Sequence, residues 1–208
     1  MNFADWEPIY QEILKDFGFD RSRDEHSAEI LSESLKERSL STQRLHKLLH
    51  QKSIIVCGNA SSLKEELESV DVSNRMIIAA DGATSVLLEH AILPDIVVTD
   101  LDGDMDDIIS ADRLGSVIVV HAHGDNIPAI KRYVPLLNHV IGSAQSTPLK
   151  NIYNFGGFTD GDRCVFMAHH FDAESVTLLG FDFEDAGVSP IKKKKLQWAR
   201  RLIKMCEF

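Results

Sequence analysis

Asp95-Ile96-Val97-Val98-Thr99-Asp100-Leu101-Asp102-Gly103-Asp104 decides how this chain is read. The apolar run Ile96-Val97-Val98 is too short for a buried helix and fits a strand covered on both faces. Directly after it come Asp100, Asp102 and Asp104, three carboxylates spaced one residue apart. Charges that close repel one another unless a cation sits among them. Oxygen-only ligands favour a hard ion such as Mg²⁺, which keeps several waters and meets a phosphate-bearing substrate. For this segment alone, a solvated acidic turn is the plainer alternative.

The arrangement recurs along the chain. Apolar runs over 53–57, 76–80, 117–120 and 175–180 each end in a cluster of Gly, Asp, Asn or His, and helical-length segments separate them. That alternation predicts an α/β fold: a mostly parallel, Rossmann-like sheet with helices on both faces. In such sheets ligands bind outside the carboxyl ends of the strands, so the polar clusters are expected to form one site. The expected strands are 53–57, 76–80, 96–99, 117–120, 139–142, 151–154 and 175–180. The expected helices are 62–69, 84–91, 105–113, 126–136, 161–171 and 192–206.

Before the first strand, Trp6, Ile9, Tyr10, Ile13, Leu14 and Phe17 follow helical spacing, with Asp5 placed to cap the helix and Gly18 to end it. A second helical stretch from about Glu25 to His50 is expected to break near Ser39 to Ser41. The organisation read from this is an amino-terminal helical extension, 1–50, followed by one α/β domain, 51–208. The extension packs on the sheet or on another subunit, and a homodimer is expected.

With 208 residues the chain can bury a sizeable core, and its net charge of −10 offers no basic stripe for a nucleic-acid backbone. Polyphosphate binding survives that objection when a metal supplies the positive charge. Cys57, Cys164 and Cys206 lack paired spacing and fit a reducing interior better than a disulfide framework or a zinc site. No apolar run approaches the ~20 residues of a membrane span. Residues 1–10 carry Asp5 and Glu7 and no secretory pattern. A soluble cytoplasmic protein, with neither nucleic-acid nor membrane partner, is expected.

Four further clusters carry chemistry. Gly58-Asn59-Ala60-Ser61-Ser62 leaves a strand and enters a helix, so Asn59 and Ser61 are candidates for phosphate contacts; a plain turn with a Ser cap needs the same residue types. Asp81-Gly82-Ala83-Thr84 ends another strand, where Gly82 permits close approach and Asp81 can accept from a ribose or a heterocycle. In His121-Ala122-His123-Gly124-Asp125-Asn126, Asp125 is assigned to the metal shell and the histidines to phosphate or substrate, with Asn126 beside them; turn shaping and helix capping are the alternative for His123 and Asn126.

The loop Asn154-Phe155-Gly156-Gly157-Phe158-Thr159-Asp160-Gly161-Asp162-Arg163 combines aromatic, glycine, carboxylate and guanidinium groups. Gly157 and its neighbour allow tight approach, Phe155 or Phe158 can stack on a flat ring, and Asp160 or Asp162 can bond a heterocycle's N–H groups. Arg163 suits phosphate, and Thr159 or Asp160 could instead cap a helix. Lys192 to Lys195 place positive charge at the positive end of the last helix, a locally unfavourable placement that points to one or two of them, Lys193 included, meeting triphosphate oxygens; a solvated face is the plainer alternative.

Together, Ala80-Asp81-Gly82-Ala83, the run Pro94 to Asp104, His121 to Asn126 and Asn154 to Arg163 resemble the archaeal 6-hydroxymethyl-7,8-dihydropterin diphosphokinase family, itself distantly similar to thiamine diphosphokinase. The resemblance spans Ser53 to the end. It implies that Asp100, Asp102 and Asp125 hold Mg²⁺, that Asp81 matches an Asp-Gly strand end, and that 51–208 is a diphosphokinase domain. The chain lacks the β-rich second domain that completes the thiamine pocket, which leaves loops such as 155–163 to hold a flat substrate.

The implied reaction transfers diphosphate from ATP to a pterin alcohol and releases AMP, in tetrahydromethanopterin or folate-type pterin synthesis. Asp100, Asp102, Asp125 and His123 are the candidate catalytic residues, with Asp125 or His123 able to take the proton. Rival readings use the same aspartates. Asp100-Leu101-Asp102-Gly103 resembles a haloacid-dehalogenase-type phosphatase, although Asp104 stands where Thr or Ser usually does. A nucleotide-sugar glycosyltransferase also uses Asp-x-Asp, and a non-catalytic ATP·Mg²⁺ sensor would leave ATP intact.

Overall fold

A computed structural model describes residues 1–206; the last two residues of the expected 51–208 segment lie outside them. Two amphipathic helices open the chain, α1 (Phe3–Phe17) and α2 (Arg21–Leu35). Asn2, not Asp5, caps α1: its Oδ1 accepts from the Asp5 N–H at 3.0 Å, while Gly18 ends the helix with φ 67° as expected. A 3-10 turn over Lys36–Arg38 begins the break, and α3 (Gln43–Leu49) follows it.

From residue 53, strand and helix alternate: β1 (Ser53–Cys57), α4 (Leu63–Ser69), β2 (Met76–Ala80), α5 (Ala83–Glu89), β3 (Ile96–Thr99), α6 (Met105–Leu114), β4 (Val117–Ala122) and α7 (Ile127–Tyr133). Then come β5 (Val140–Ala144), β6 (Ile152–Tyr153), α8 (Asp160–His170), β7 (Ser175–Leu179) and α9 (Pro190–Ile203). The expected helix 126–136 divides, its last turn tightening to 3-10 geometry at Val134–Leu136 with Pro135 inside it. Proline cannot supply the N–H that a continued α-helix needs.

Among the described residues the seven strands form one sheet in the order β6-β5-β4-β3-β2-β1-β7, and every pairing is parallel. The chain steps strand by strand from β1 to β6, and α8 then crosses back to place β7 on the other side of β1. Strand alternation sorts the core into two layers. Ile55, Ile77, Val97 and Ile118 pack with Leu63, Leu87, Ile108 and Ile130 of α4 to α7 and with Leu31 and Leu35 of α2. Ile54, Ile78, Val98 and Val119 face α3 and α8 through Leu45, Leu49, Cys164 and Met167.

A third cluster joins α1 to α8 and α9: Trp6, Tyr10, Ile13 and Leu14 pack on Phe166, Trp198 and Leu202. The apolar stripe of α1 is therefore covered by its own chain. Among the described residues no helix is long and apolar enough to cross a membrane.

Candidate active site

Strand register brings the first group together. Ala80 pairs with Val98, so Asp81, just past β2, lies beside Thr99 and Asp100 at the end of β3. The Thr99 hydroxyl donates to Asp81 Oδ1 and accepts the Leu101 N–H at 2.7 Å. Asp81 (φ 36°) and Leu101 (φ 69°) both occupy the left-handed region without being glycine. Such backbone costs of order 1–3 kcal/mol per residue and persists where the surroundings hold it. A Cβ at Gly103 would run into the Asp81 carboxylate, so only glycine lets the β3 loop close on β2. The outcome is one cluster: carboxylate oxygens of Asp81, Asp100 and Asp102 all lie within 4.8 Å of one another.

The titration of the cluster follows from burial and mutual repulsion. Burial, then the hydrogen bond and charge of Asp100 and the charge of Asp81, push Asp102 up to about 7. Burial also raises Asp81, against the Thr99 hydrogen bond and with help from the Asp100 charge. For Asp100 burial is again the largest influence and upward, but hydrogen bonds from His123 and Asp102 and the charges of His123 and Arg163 outweigh it and bring the group to about 2. Asp100 is thus the ionised member. Its Oδ2 faces His123 Nε2 at 3.1 Å, and its buried Oδ1 has no hydrogen-bond partner. A buried, charged, unpartnered oxygen is costly, and a divalent cation shared with Asp81 and Asp102 would satisfy it. Asp104, the third carboxylate of the run, turns away to cap α6 by accepting the N–H groups of Asp106 and Asp107.

Asp125, expected with Asp100 and Asp102, stands outside this cluster. Its side chain is 73% exposed and pairs with Arg23 at 2.5 Å. The reason lies on either side of it. The Gly124 N–H is held by buried Asp24 of α2 at 2.8 Å. Asn126 clasps the turn, donating to the carbonyls of Asp100 (2.9 Å) and His121 (2.7 Å) and accepting from the His123 N–H and the Ser27 hydroxyl. These anchors leave residue 125 on the rim and make Asn126 a structural clasp. Asp81 takes the third place in the cluster.

The 154–163 loop departs most from expectation. Phe155 is buried against Tyr153, His170 and Phe171. Phe158 packs on Phe17 in the α1 cluster, with Lys195 Nζ 5.9 Å from its ring centroid. Asp162 is wholly buried and closes the capping box of α8 with Thr159; burial, partly opposed by Arg163, lifts it to about 6. Thr159 and Asp162 therefore start a helix. A Cβ at Gly157 (φ 90°) would strike the backbone of Arg163, so this glycine serves close packing within the chain.

Asp160 and Arg163 do reach the site. They pair at 3.0 Å, and burial followed by the Asp100 charge holds Asp160 well above the usual carboxylate range.

Of the remaining candidates, Gly82 sits against the side chain of Asn59, joining the ends of β1 and β2, while Asn59 and Ser61 are exposed. His121 is 2% exposed, with Nδ1 3.2 Å from Ser143 Oγ. Lys193 is exposed, whereas Lys194 pairs with Asp16 at 2.7 Å and lies over Phe17, so α1 accounts for part of the lysine run.

Two residues of the site escaped the sequence reading. Buried Asp24 accepts from Tyr10 Oη and Gln145 Nε2, both at 2.7 Å, besides Gly124. Gln145, just past β5, turns its Oε1 to Arg163 Nη2 at 3.3 Å. The available signal was a carboxylate heading the helical stripe Asp24, Ser27, Ala28, Leu31 and Leu35.

Comparison with known proteins gives the family. The family model described as MptE-like, 6-hydroxymethylpterin diphosphokinase, matches residues 29–187. A protein of Methanocaldococcus jannaschii named 6-hydroxymethyl-7,8-dihydropterin pyrophosphokinase is 42% identical, the alignment covering 98% of this chain and 95% of that one. Proteins of the same name from Methanothermobacter thermautotrophicus and Pyrococcus furiosus are 45% and 40% identical, over 97% and 98% of this chain and 94% and 93% of their own length.

Proposed function

The chain belongs to the MptE-like 6-hydroxymethylpterin diphosphokinase family, and from that premise we propose that it transfers a diphosphoryl group from ATP to 6-hydroxymethyl-7,8-dihydropterin, releasing AMP. The product would enter tetrahydromethanopterin or folate-type pterin synthesis. The observation that carries the reading is the buried, unpartnered Oδ1 of Asp100 inside a three-carboxylate cluster. Net negative charge there has no use for a polyphosphate unless a cation intervenes. Mg²⁺ held by Asp81, Asp100 and Asp102 would neutralise charge on the phosphate oxygens as the bond to the α-phosphate breaks.

The chain's own residues position the reactants. His123 faces Asp100 Oδ2 through Nε2; in the neutral tautomer that donates there, Nδ1 would accept the hydroxyl proton. Arg163, fixed by Asp160 and Gln145, supplies a permanent positive charge that acts on Asp100. Asp125 and Arg23 stand at the rim, where the exposed nucleotide tail would pass. The test is incubation of the protein with ATP, Mg²⁺ and 6-hydroxymethyl-7,8-dihydropterin. AMP and the pterin diphosphate should appear in equal amounts and cease with EDTA. ADP or free phosphate as the product would reject the reading.

A further inference from the structure

A cavity of about 10 Å³ lies behind Phe155, between the ends of β3 to β5 and the first turns of α8. Its walls are apolar, from Val98, Val119, Phe155 and Met167, with small Ala144 and Gly156 at its side. Besides Ser143, two polar side chains line it, Arg163 and His121, exposed by only 7% and 2%. Each has a buried nitrogen without a partner: Nε of Arg163 and Nε2 of His121.

Their hydrogen-bonding characters are fixed by what surrounds them. Arg163 already donates from Nη1 to Asp160 and from Nη2 to Gln145, so the leftover Nε–H is a donor held in one direction. Register places His121 beside Ser143. The Ser143 hydroxyl donates to the Val120 carbonyl at 3.3 Å, so it accepts from His121 Nδ1–H, and Nε2 is then a bare acceptor. Burial, followed by the charges of Arg163 and His123, keeps the His121 pKa well below its ordinary value and the ring neutral. One unpartnered donor and one unpartnered acceptor thus belong to side chains that line an otherwise largely apolar slot.

Resting on the function proposed above, we propose that this pair reads the lactam edge of the acceptor's pyrimidine ring: Arg163 Nε–H donates to the ring carbonyl, and His121 Nε2 accepts from the adjacent ring N–H. The hydroxymethyl arm lies at the opposite end of the bicycle, so this seating points it away from the slot and out toward Asp100. At rest the slot is large enough for one water and too small for a fused ring, so its walls part as the edge enters. Arg163, first assigned to phosphate, becomes a residue that selects the heterocycle.

The experiment compares two ligands on the full chain: 6-hydroxymethylpterin and 2,4-diamino-6-hydroxymethylpteridine. The second carries an amino donor in place of the carbonyl and a bare nitrogen in place of the N–H, which inverts the pattern. Direct binding is followed by ligand fluorescence, and turnover by AMP release. A site built on this pair rejects the diamino compound at least a hundredfold. His121→Leu should raise KM for the pterin alcohol tenfold or more while KM for ATP is unaltered, and His121→Gln, which retains an acceptor, should recover part of the loss. Equal binding of the two ligands overturns the subsite and marks the cavity as a place for a structural water only, even where AMP still forms. Absence of AMP with every pterin alcohol sinks the proposed function instead, and binding preference then judges the subsite by itself. The ligand comparison needs no variant to fold.

Discussion

Asp102→Asn should make the metal-free protein more stable and the enzyme far slower. The cluster holds three carboxylates within 4.8 Å. Two full charges at that distance, in an effective dielectric of about 20, repel by about 3.5 kcal/mol. Asp102 is exposed, so solvent screening reduces its share to about 1 kcal/mol. The pH dependence fixes the sign. Asp102 titrates at about 7 in the folded protein, above the ~3.9 of an unfolded Asp, so the folded state binds the extra proton. Wild-type stability from this group is fully present below about pH 4 and is lost as pH rises through about 7. The Asn side chain does not titrate. Melting in EDTA should therefore show the variant above wild type at pH 8, with the gap closing as pH falls toward 4. Saturating Mg²⁺ should raise the wild-type midpoint and leave the variant nearly unmoved. In the AMP-release assay the same substitution should cost about a thousandfold in rate, about 4 kcal/mol of transition-state stabilisation. A variant that melts below wild type in EDTA at pH 8, or that turns over within threefold of it, refutes the assignment of this cluster to a cation.

Asp104→Ala, two residues along the same acidic run, should behave oppositely: loss of the α6 cap lowers stability by ~1 kcal/mol in urea melts, with AMP release within twofold of wild type. Asp24→Ala strands three donors, from Tyr10, Gln145 and Gly124, and should cost about 3–5 kcal/mol in chemical denaturation. Asp24→Asn is the subtler change. Its amide nitrogen facing Gln145 would force that side chain to flip and take Oε1 off Arg163, so kcat/KM should fall by more than stability does.

The central strands were legible because they are buried on both faces and nearly continuously apolar; Ile96, Val97 and Val98 leave no polar residue to confuse the period. The ends of α2 and α7 were less so: the tight turn at Lys36–Arg38 keeps helical composition while changing the hydrogen bonding, and the signal missed at Val134–Leu136 was Pro135. At the site, Asp81, Asp100, Asp102 and His123 were visible as chemistry at strand ends, yet their grouping was not. Which carboxylate joins Asp100 and Asp102 depends on register between β2 and β3 and on the clasp that leaves Asp125 at the rim. Phe158, Thr159 and Asp162 read as ligand contacts for the converse reason. A helix start packed under a neighbouring helix asks for aromatic, glycine and carboxylate residues as insistently as a ligand does, and only burial separates the two demands.

The amino-terminal helices gain a role from the same contacts. α1 and α2 reach the Arg163 side of the site through a chain of hydrogen bonds. Trp6 Nε1 donates to the Gln145 carbonyl at 2.9 Å, Tyr10 and Gln145 meet at Asp24, and Gln145 holds Arg163. Because Asp24 when ionised only accepts and Arg163 only donates, the Gln145 amide has one orientation that satisfies both. The path from α1 to the guanidinium therefore carries direction as well as position. An amino-terminal segment that merely covered the sheet would need apolar residues alone at this seam; a buried carboxylate there is explained by the arginine at the other end of the chain of bonds.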